Sequence, residues 1–148
     1  MTESSNAPFI VVGVDGSEGS AEALRWAAEQ ARLTGAELHV VCVWDYPSGV
    51  GWAWAPGFVG MDLAAESRKG LDAMVAQVLD GGAGVALITR VERGHAADVL
   101  VNASRGADLL VVGSRGHGAF AGMLLGSVSL HCAQHAKCPV VIVGHQHR

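Results

Sequence analysis

The sequence predicts an α/β fold, an open and doubly wound five-stranded parallel sheet with helices on both faces. Short apolar runs rich in β-branched residues alternate with longer segments whose apolar residues recur at helical spacing. The short runs are continuously apolar, which is typical of strands that are covered on both faces. Alternating strands and helices imply right-handed crossovers and therefore parallel strands.

The first strand and the first helix carry the clearest signals. Residues 9–14 form a β-branched run, and Ser17 after it is a good helix N-cap. Glu18 suits the positive end of the helix dipole, and Gly35 closes the helix in the left-handed conformation. Further strands are predicted at residues 38–44, 85–91, 108–113 and 140–143. Further helices are predicted around residues 71–78 with a stop at Gly81 and Gly82, at 96–103 with a stop at Gly106, and at 126–135.

Residues 45–60 interrupt this alternation between the second strand and the second helix. The segment contains Pro47, Pro56 and four glycines, and it is too long for a tight connection. We expect a surface loop. Trp52 and Trp54 either pin this loop to the body of the domain or cover a ligand or a partner contact.

Length and composition limit the possible classes of protein. The 148 residues fit one domain, which we expect to span the chain with tails at residues 1–8 and 144–148. A net charge of −4 argues against a general nucleic-acid binder. No apolar run reaches the roughly 18–20 residues of a membrane span, and residues 1–8 lack the features of a secretory signal. Cys42, Cys132 and Cys138 form neither an even disulfide set nor a CxxC pair, which favours a soluble protein of the reducing cytoplasm.

The segment after the fourth strand has the composition of an anion-binding loop. It holds Gly113, Arg115, Gly116 and Gly118, and it leads to Gly126 and Ser127 at the start of the last helix. Glycines let the backbone approach a ligand closely, and exposed N–H groups at a helix N-terminus attract phosphate. In open α/β sheets, ligands bind at the carboxyl ends of the strands where the strand order reverses. The segment would therefore suit a polyphosphate, although glycines after a strand also occur in ordinary tight turns.

Three common nucleotide and hydrolase motifs are absent. Residues 113–119 have the glycine spacing of a Walker A loop but lack the Lys-Ser/Thr pair that should follow. Gly13, Gly16 and Gly19 lack the GxGxxG spacing of a dinucleotide site, and the GxSxG of an esterase elbow is missing.

A different glycine pattern does match. Gly113-x-x-Gly116, nine residues and then Gly126-Ser127 form the G-2x-G-9x-G-[ST] motif of ATP-binding universal stress proteins. The chain also resembles that family in Val-Asp-Gly-Ser at 14–17, Val-Trp-Asp at 43–45, Gly-His at 94–95 and the segment 107–116. The resemblance covers residues 10–143. It implies a Rossmann-like fold of the adenine-nucleotide alpha-hydrolase type with strand order 3-2-1-4-5.

The resemblance implies ATP as the ligand and gives each site residue a role. Asp15 would face the nucleotide, where its carboxylate could accept ribose hydroxyl protons or help to hold Mg²⁺. The other implied contacts to the base are Gly13 on the adenine side and the backbone of Val43 at the adenine edge, with Val112 and Gly113 beside the nucleoside. The implied contacts around the phosphates are Ser114, Arg115, Gly116, His117 and Gly118. The phosphate site would be completed by Gly126, Ser127 and Val128. From the residues alone, Asp15 could instead cap the first helix, and His117 could face solvent.

The chain departs from the family where many relatives carry a basic residue, around Met123. No cation lies between Gly118 and Gly126, so Arg115 and backbone amides must supply most of the attraction for phosphate. Elsewhere, the last predicted helix carries His131 and His135 at metal-ligand spacing without a third ligand nearby in the sequence. We expect Cys138 to be an inert structural thiol rather than a redox sensor.

No paired carboxylates and no nucleophile–base set accompany the glycine loop. We therefore see no strong catalytic apparatus, and the resemblance implies a nucleotide-dependent module of stress response or signalling. Two alternatives stay open. One is a slow ATP-hydrolysing or phosphotransfer enzyme, and the other is an interaction scaffold that binds AMP, cyclic AMP or no nucleotide.

The last predicted strand suggests a homodimer. Val140, Val141, Ile142 and Val143 form an uninterrupted apolar run, which the order 3-2-1-4-5 places at a sheet edge. An edge exposes unpaired N–H and C=O groups that can pair with another chain. The resemblance implies the same result, with fifth strands paired antiparallel across a two-fold axis. Alternatively, residues 144–148 could fold back over the edge.

Overall fold

Alternating strands and helices build the protein in the computed structural model, which describes residues 7–45, 62–80, 84–114 and 125–144. Within these ranges the elements are β1 (Phe9–Val14), α1 (Glu18–Thr34), β2 (Glu37–Trp44), α2 (Leu63–Leu79), β3 (Leu87–Arg93), α3 (Ala96–Ala103), β4 (Leu109–Gly113), α4 (Ser127–His135) and β5 (Val140–Val143). None of the described helices is long and apolar enough to cross a membrane.

The five strands form one parallel sheet in the order β3-β2-β1-β4-β5. The predicted fold class and strand order are therefore confirmed. From β1 the chain moves outwards to β3 and then returns to place β4 on the other side of β1. The strand order thus reverses between β1 and β4, which is where open α/β sheets bind ligands.

Two hydrophobic cores cover the two faces of the sheet. The first core lies between the sheet and the pair α1 and α2, and the second core lies between the sheet and the pair α3 and α4. Neighbouring residues of the central strand β1 enter opposite cores, since Val12 belongs to the first core and Val11 to the second, and neither is exposed at all. The continuous apolar runs in the sequence reflect this burial on both faces.

Helix α1 has the caps that the sequence predicts. The Ser17 hydroxyl accepts the backbone N–H of Ser20 at 3.2 Å, and this bond satisfies one amide of the first turn. Gly35 has a φ of 76° and donates its N–H to the carbonyl of Ala31 at 2.9 Å. The predicted start and end of this helix are therefore confirmed.

Helix α2 ends at Leu79, two residues before the first of the predicted glycines. Asp62 caps its start through a bond from the Ala65 N–H to Oδ1 at 3.1 Å. At its end, Asp80 has a φ of 38° and donates its N–H to Ala76 at 3.2 Å. The helix thus ends with an aspartate in the left-handed conformation, and Gly81 and Gly82 lie outside the described residues, as do Trp52 and Trp54.

Strand β3 lies two residues later than predicted. The prediction for residues 85–91 followed the apolar run, whereas pairing with β2 starts at Leu87 opposite Leu38 and continues to Arg93 opposite Trp44. Because β3 is an edge strand, it tolerates polar residues at this end, and its Ile88 is 41% exposed. The hydrophobic pattern therefore misplaced both ends of the strand.

Candidate functional site

The carboxyl ends of β1 and β4 lie side by side at the point where the strand order reverses. Val12 pairs with Val111 in the last register pair between these strands. The chain leaves β1 at Asp15 and leaves β4 at Ser114, so these two strand ends lie at the same edge of the sheet. The strand order thus brings Asp15 and Ser114, which both belong to the described residues, to the same edge of the sheet. Arg115, Gly116, His117 and Gly118, and also Met123, lie outside the described residues.

Gly113 is required by the packing of α1 against β4. A Cβ atom on Gly113 would lie 2.9 Å from the carbonyl oxygen of Gly19 and 3.4 Å from the backbone nitrogen of Ser20. Both atoms belong to the backbone at the start of α1, which has little freedom to move away. A structural role therefore accounts for this glycine, in addition to the ligand contact that the motif predicts.

Gly13 has a comparable role on the opposite face of the sheet. A Cβ atom there would lie 2.6 Å from Cδ1 of Leu100, a buried residue of α3. The sequence did not indicate this contact because Gly13 and Leu100 are far apart along the chain. The absence of a side chain at Gly13 lets α3 pack closely beside the candidate site.

Asp15 organises the turn that follows β1. Its carboxylate Oδ1 accepts the backbone N–H of Ser17 at 2.9 Å, and its own N–H donates to the hydroxyl of Ser20 at 3.2 Å. Ser17, not Asp15, is the N-cap of α1, so the alternative that Asp15 caps this helix is wrong. The residue is exposed at the carboxyl end of the sheet, and its turn holds it there.

The carboxyl end of β2 extends past β1. The last register pair with β1 joins Val14 to Cys42, so Val43 and Trp44 lie beyond the register with β1. The carbonyl of Trp44 accepts the N–H of Gly94 at 2.9 Å, on the β3 side. Because alternate residues of a strand direct their backbone groups to opposite neighbours, those of Val43 point towards the β1 side. There they lie level with the point where β1 has ended.

The start of α4 is fixed to the end of β4. The N–H of Ser114 donates to the carbonyl of Val143 at 2.9 Å, and the N–H of Gly126 donates to the carbonyl of Ser114 at 2.7 Å. The buried hydroxyl of Ser129 lies 3.0 Å from both the Ser114 and the Gly126 carbonyl oxygens. Ser129 was missed by sequence reasoning, and its only signal was a serine inside a short helix.

Within the part of the chain that the structure describes, helix α4 starts without a side-chain cap. Gly126 is its N-cap in extended conformation and makes no side-chain hydrogen bond to the first turn. Ser127 is exposed and Val128 is partly buried behind it. The first amides of a helix have no partner within the helix and carry its positive dipole end, so this terminus is suited to an anion.

Two charged residues shift the pKa of Cys42, a cysteine beside the site, in opposite directions. Burial raises the pKa of the Cys42 thiol, the Asp15 carboxylate raises it further, and the Arg68 guanidinium opposes this rise. Arg68 comes from α2 and its Nη1 donates to Thr89 Oγ1 at 2.8 Å and to Asp72 Oδ1 at 3.3 Å. Sequence reasoning did not single out Arg68, because its closeness to the end of β1 depends on the fold.

One histidine of α4, His131, contacts α3, and the rings of His131 and His135 contact each other. His131 Nε2 lies 3.4 Å from Asp98 Oδ1, and the His131 and His135 rings are 4.4 Å apart. Within the described residues, no group of three or more His, Cys, Asp or Glu side chains could hold a metal ion.

Burial raises the pKa of the Cys132 thiol to about 11, so this second-core cysteine stays protonated.

Comparison with known proteins places this fold in a family. The model of the universal stress protein family matches residues 9–144. The chain belongs to the universal stress protein family. A universal stress protein of Mycobacterium tuberculosis is 36% identical over 136 residues, which are 90% of this chain and 47% of that protein. The chain spans about half the length of the curated relatives that it matches.

Solved universal stress protein structures share the fold. One from Lactobacillus plantarum aligns with a TM-score of 0.77 and 25% identity, covering 92% of this chain and 97% of that one. A universal stress protein in complex with cAMP aligns with a TM-score of 0.67 and 32% identity, covering 92% and 96% of the two chains. Nucleotide binding therefore occurs in a family member of clear sequence similarity.

Proposed function

We propose that this universal stress protein binds ATP at the carboxyl ends of β1, β2 and β4 and acts as a nucleotide-dependent module of stress response or signalling. The observation that carries the proposal is the uncapped start of α4, fixed to β4 through the bond from Gly126 to Ser114. This terminus follows β4 at the carboxyl edge of the sheet, where the neighbouring strand β1 also ends and the Asp15 turn begins. An anion site, a carboxylate and a free strand end together suit a nucleotide.

The strand end of β2 supports the adenine part of the proposal. Backbone groups of Val43 face the space beyond β1, where they could read the edge of a base. Backbone recognition explains why the side chain at this position can be a plain valine. The relative in complex with cAMP supports the choice of an adenine nucleotide for this chain.

The phosphate part of the site combines the start of α4 with the glycine motif. Gly126, Ser127 and Val128 supply the helix amides, and Gly113 and Ser114 supply the end of β4. The motif adds Arg115, Gly116, His117 and Gly118, whose sequence composition suits phosphate. Val112 and Gly113 would flank the nucleoside, with Gly13 on the adenine side.

Asp15 is the proposed protein ligand for a Mg²⁺ ion that accompanies ATP. Mg²⁺ is held in proteins by one or two carboxylates together with phosphate oxygens and water, and an exposed carboxylate at the phosphate end fits this pattern. The ion would neutralise phosphate charge beside the Asp15 turn. No other carboxylate is assigned to it.

Two other functions fit the same site. The cAMP complex of the 32% identical relative favours an AMP or cyclic AMP sensor. A slow ATP-hydrolysing or phosphotransfer enzyme is the second alternative, with Asp15 as the group that would orient a metal or water.

We further propose a cytoplasmic homodimer that pairs β5 across a two-fold axis. In the sheet order β5 is an edge strand, and Val140, Val141, Ile142 and Val143 are all partly buried in the single chain. Two copies together would contain about as many residues as one of the longer relatives. The three cysteines are free, which fits a reducing compartment.

The test is mass spectrometry of the nucleotide released when the purified protein is denatured. ATP is the expected species, whereas AMP or cyclic AMP would favour the sensor alternative. Incubation with ATP and Mg²⁺ then measures turnover. Release of phosphate at several turnovers per minute would favour the enzyme, and a protein that neither retains nor binds any adenine nucleotide would refute the proposal.

A further inference from the structure

The end of β2 that faces the proposed adenine pairs with β3 beyond the point where its register with β1 stops. Pairing with β1 stops at Val14 opposite Cys42, whereas pairing with β3 continues until Trp44 lies opposite Arg93. The backbone of Val43 is therefore held in place by its neighbours on the β3 side. Residues at the end of β3 decide how firmly it is held.

Arg93 contacts both residues that follow Val43. Its guanidinium carbon lies 5.7 Å from the centroid of the Trp44 ring, within the range of a cation–π interaction. Its Nε lies 3.4 Å from Oδ1 of Asp45, which forms an ion pair. The next residue, Gly94, donates its N–H to the carbonyl of Trp44 at 2.9 Å. These contacts join the end of β2 to the end of β3.

These contacts require the shape of arginine. A planar guanidinium can lie over an aromatic ring and direct its Nε–H sideways to a carboxylate at the same time. A lysine ammonium carries the same charge on a flexible chain and has no such plane. The Arg93 and Asp45 side chains are 61% and 52% exposed, so the ion pair contributes little to global stability. Its effect is local.

We propose that Arg93 is a positioning residue for adenine recognition, which it supports by holding Trp44 and Asp45 and so fixing the backbone of Val43. This inference rests on the proposed binding of an adenine nucleotide. Adenine presents an amino donor at the position where guanine presents an oxygen acceptor. Backbone groups can separate these two bases only while they stay in one orientation.

Calorimetric titration of three variants tests the inference. Arg93→Ala and Arg93→Lys are compared with wild type, and Arg105→Ala is the control. Arg105 is an exposed arginine after α3, just before the first residue of β4 and therefore at the opposite end of the sheet. The ligands are ATP, GTP and inorganic tripolyphosphate. Circular dichroism and denaturant melts establish that each variant is folded at the temperature of the titration.

We expect about a fivefold to tenfold loss of ATP affinity in both Arg93 variants, because two weak exposed contacts are removed or weakened. The affinities for GTP and tripolyphosphate should stay at the wild-type values, so the ratio of ATP to GTP affinity falls. Arg105→Ala should leave all three affinities unchanged.

Four results would count against the inference. An unchanged ratio of ATP to GTP affinity in both Arg93 variants would remove the positioning role. A wild-type ratio in Arg93→Lys alone would show that a positive charge suffices and that the arginine plane has no positioning role. An equal loss of tripolyphosphate binding in Arg93→Ala would make Arg93 an ordinary phosphate-attracting cation. A wild-type protein without preference for adenine nucleotides would refute the proposed function itself, and this outcome is recognised before any variant is measured.

Discussion

Gly126 donates its backbone N–H to the carbonyl of Ser114 at 2.7 Å, so the last helix begins where the fourth strand ends. The buried hydroxyl of Ser129 reinforces this junction, since it lies 3.0 Å from each of the two carbonyl oxygens. The junction holds the first amides of α4 at the carboxyl end of β4, which pairs with β1 in the sheet. The geometry of the proposed phosphate site therefore depends on one backbone bond and one buried serine.

Ser129→Ala should weaken both folding and ATP binding. Loss of the buried hydroxyl bonds costs about 1–2 kcal/mol of unfolding free energy, and a looser junction misplaces the α4 amides. Ser104→Ala is the matched control, because Ser104 is also buried and its hydroxyl donates to the carbonyl of Val101 at 2.9 Å. Denaturant melts should give similar losses for both variants, while calorimetry finds weaker ATP binding only for Ser129→Ala. Equal ATP affinities in the two variants would contradict this role of the junction.

Gly113→Ala should destabilise the fold more than Gly13→Ala. The added Cβ meets fixed backbone at Gly19 in the first case, which costs roughly 2–3 kcal/mol, and the movable tip of Leu100 in the second, which costs about 1 kcal/mol. Gly70→Ala is the control, since Gly70 lies inside α2 with open space around it. That change should stabilise the protein by about 0.5–1 kcal/mol. Thermal and urea unfolding measure all three, and a larger loss for Gly13→Ala would show that the α1 contact is not the tighter one.

Asp15→Ala should reduce ATP affinity far more than stability. Its exposed bond to the Ser17 N–H contributes about 1 kcal/mol or less, whereas the proposed Mg²⁺ contact is lost completely. Ser17→Ala removes the true cap of α1 at a cost of about 1 kcal/mol and leaves the carboxylate in place. Titration with ATP in Mg²⁺ and in a chelator separates the two variants. Asp15→Ala with wild-type affinity in Mg²⁺ would exclude the metal role.

Reactivity of the Cys42 thiol should report the charge at the site. Asp15 raises the pKa of Cys42 and Arg68 lowers it, and the thiolate is the reactive form. Asp15→Asn therefore lowers this pKa and speeds alkylation of Cys42 by iodoacetamide at pH 8, while Arg68→Gln raises it and slows the reaction. Peptide mass spectrometry follows Cys42 separately from Cys132. Equal rates in both variants would mean that neither charge reaches the thiol.

The structural features that were predicted correctly from the sequence are those that local chemistry determines. The cap at Ser17 and the left-handed Gly35 follow from single residues, and the parallel sheet follows from continuous apolar strands. The predicted bounds of β3 were wrong because the last residues of this strand are polar. These residues belong to the strand through backbone pairing with β2, which the hydrophobic pattern does not show. Contacts between distant segments, such as Leu100 against Gly13, had no local signal at all.

The residues of the candidate site likewise fall into those that the sequence indicates and those that it does not. Its glycine motif stands out through the spacing of Gly113, Gly116 and Gly126, and Asp15 stands out as a carboxylate directly after an apolar strand. Ser129 and Arg93 did not stand out, since a buried serine and an exposed arginine acquire their roles only from the carbonyl or ring that the fold brings next to them. Supporting residues of this kind can be identified only from the three-dimensional structure.

Val141→Lys should convert the proposed dimer to monomer. In an antiparallel β5–β5 pair the edge strands meet across the two-fold axis, so one substitution places two lysines close to each other and to apolar side chains. Ile88→Lys is the matched control, because Ile88 is an exposed aliphatic residue on β3, the opposite edge of the sheet. Sedimentation at micromolar concentration should find dimers for wild type and Ile88→Lys, and monomers for Val141→Lys. Since Val141 also packs against the first core, circular dichroism must establish that the variant is folded. A monomeric wild type, or a folded Val141→Lys variant that dimerises as wild type does, would exclude β5 as the interface.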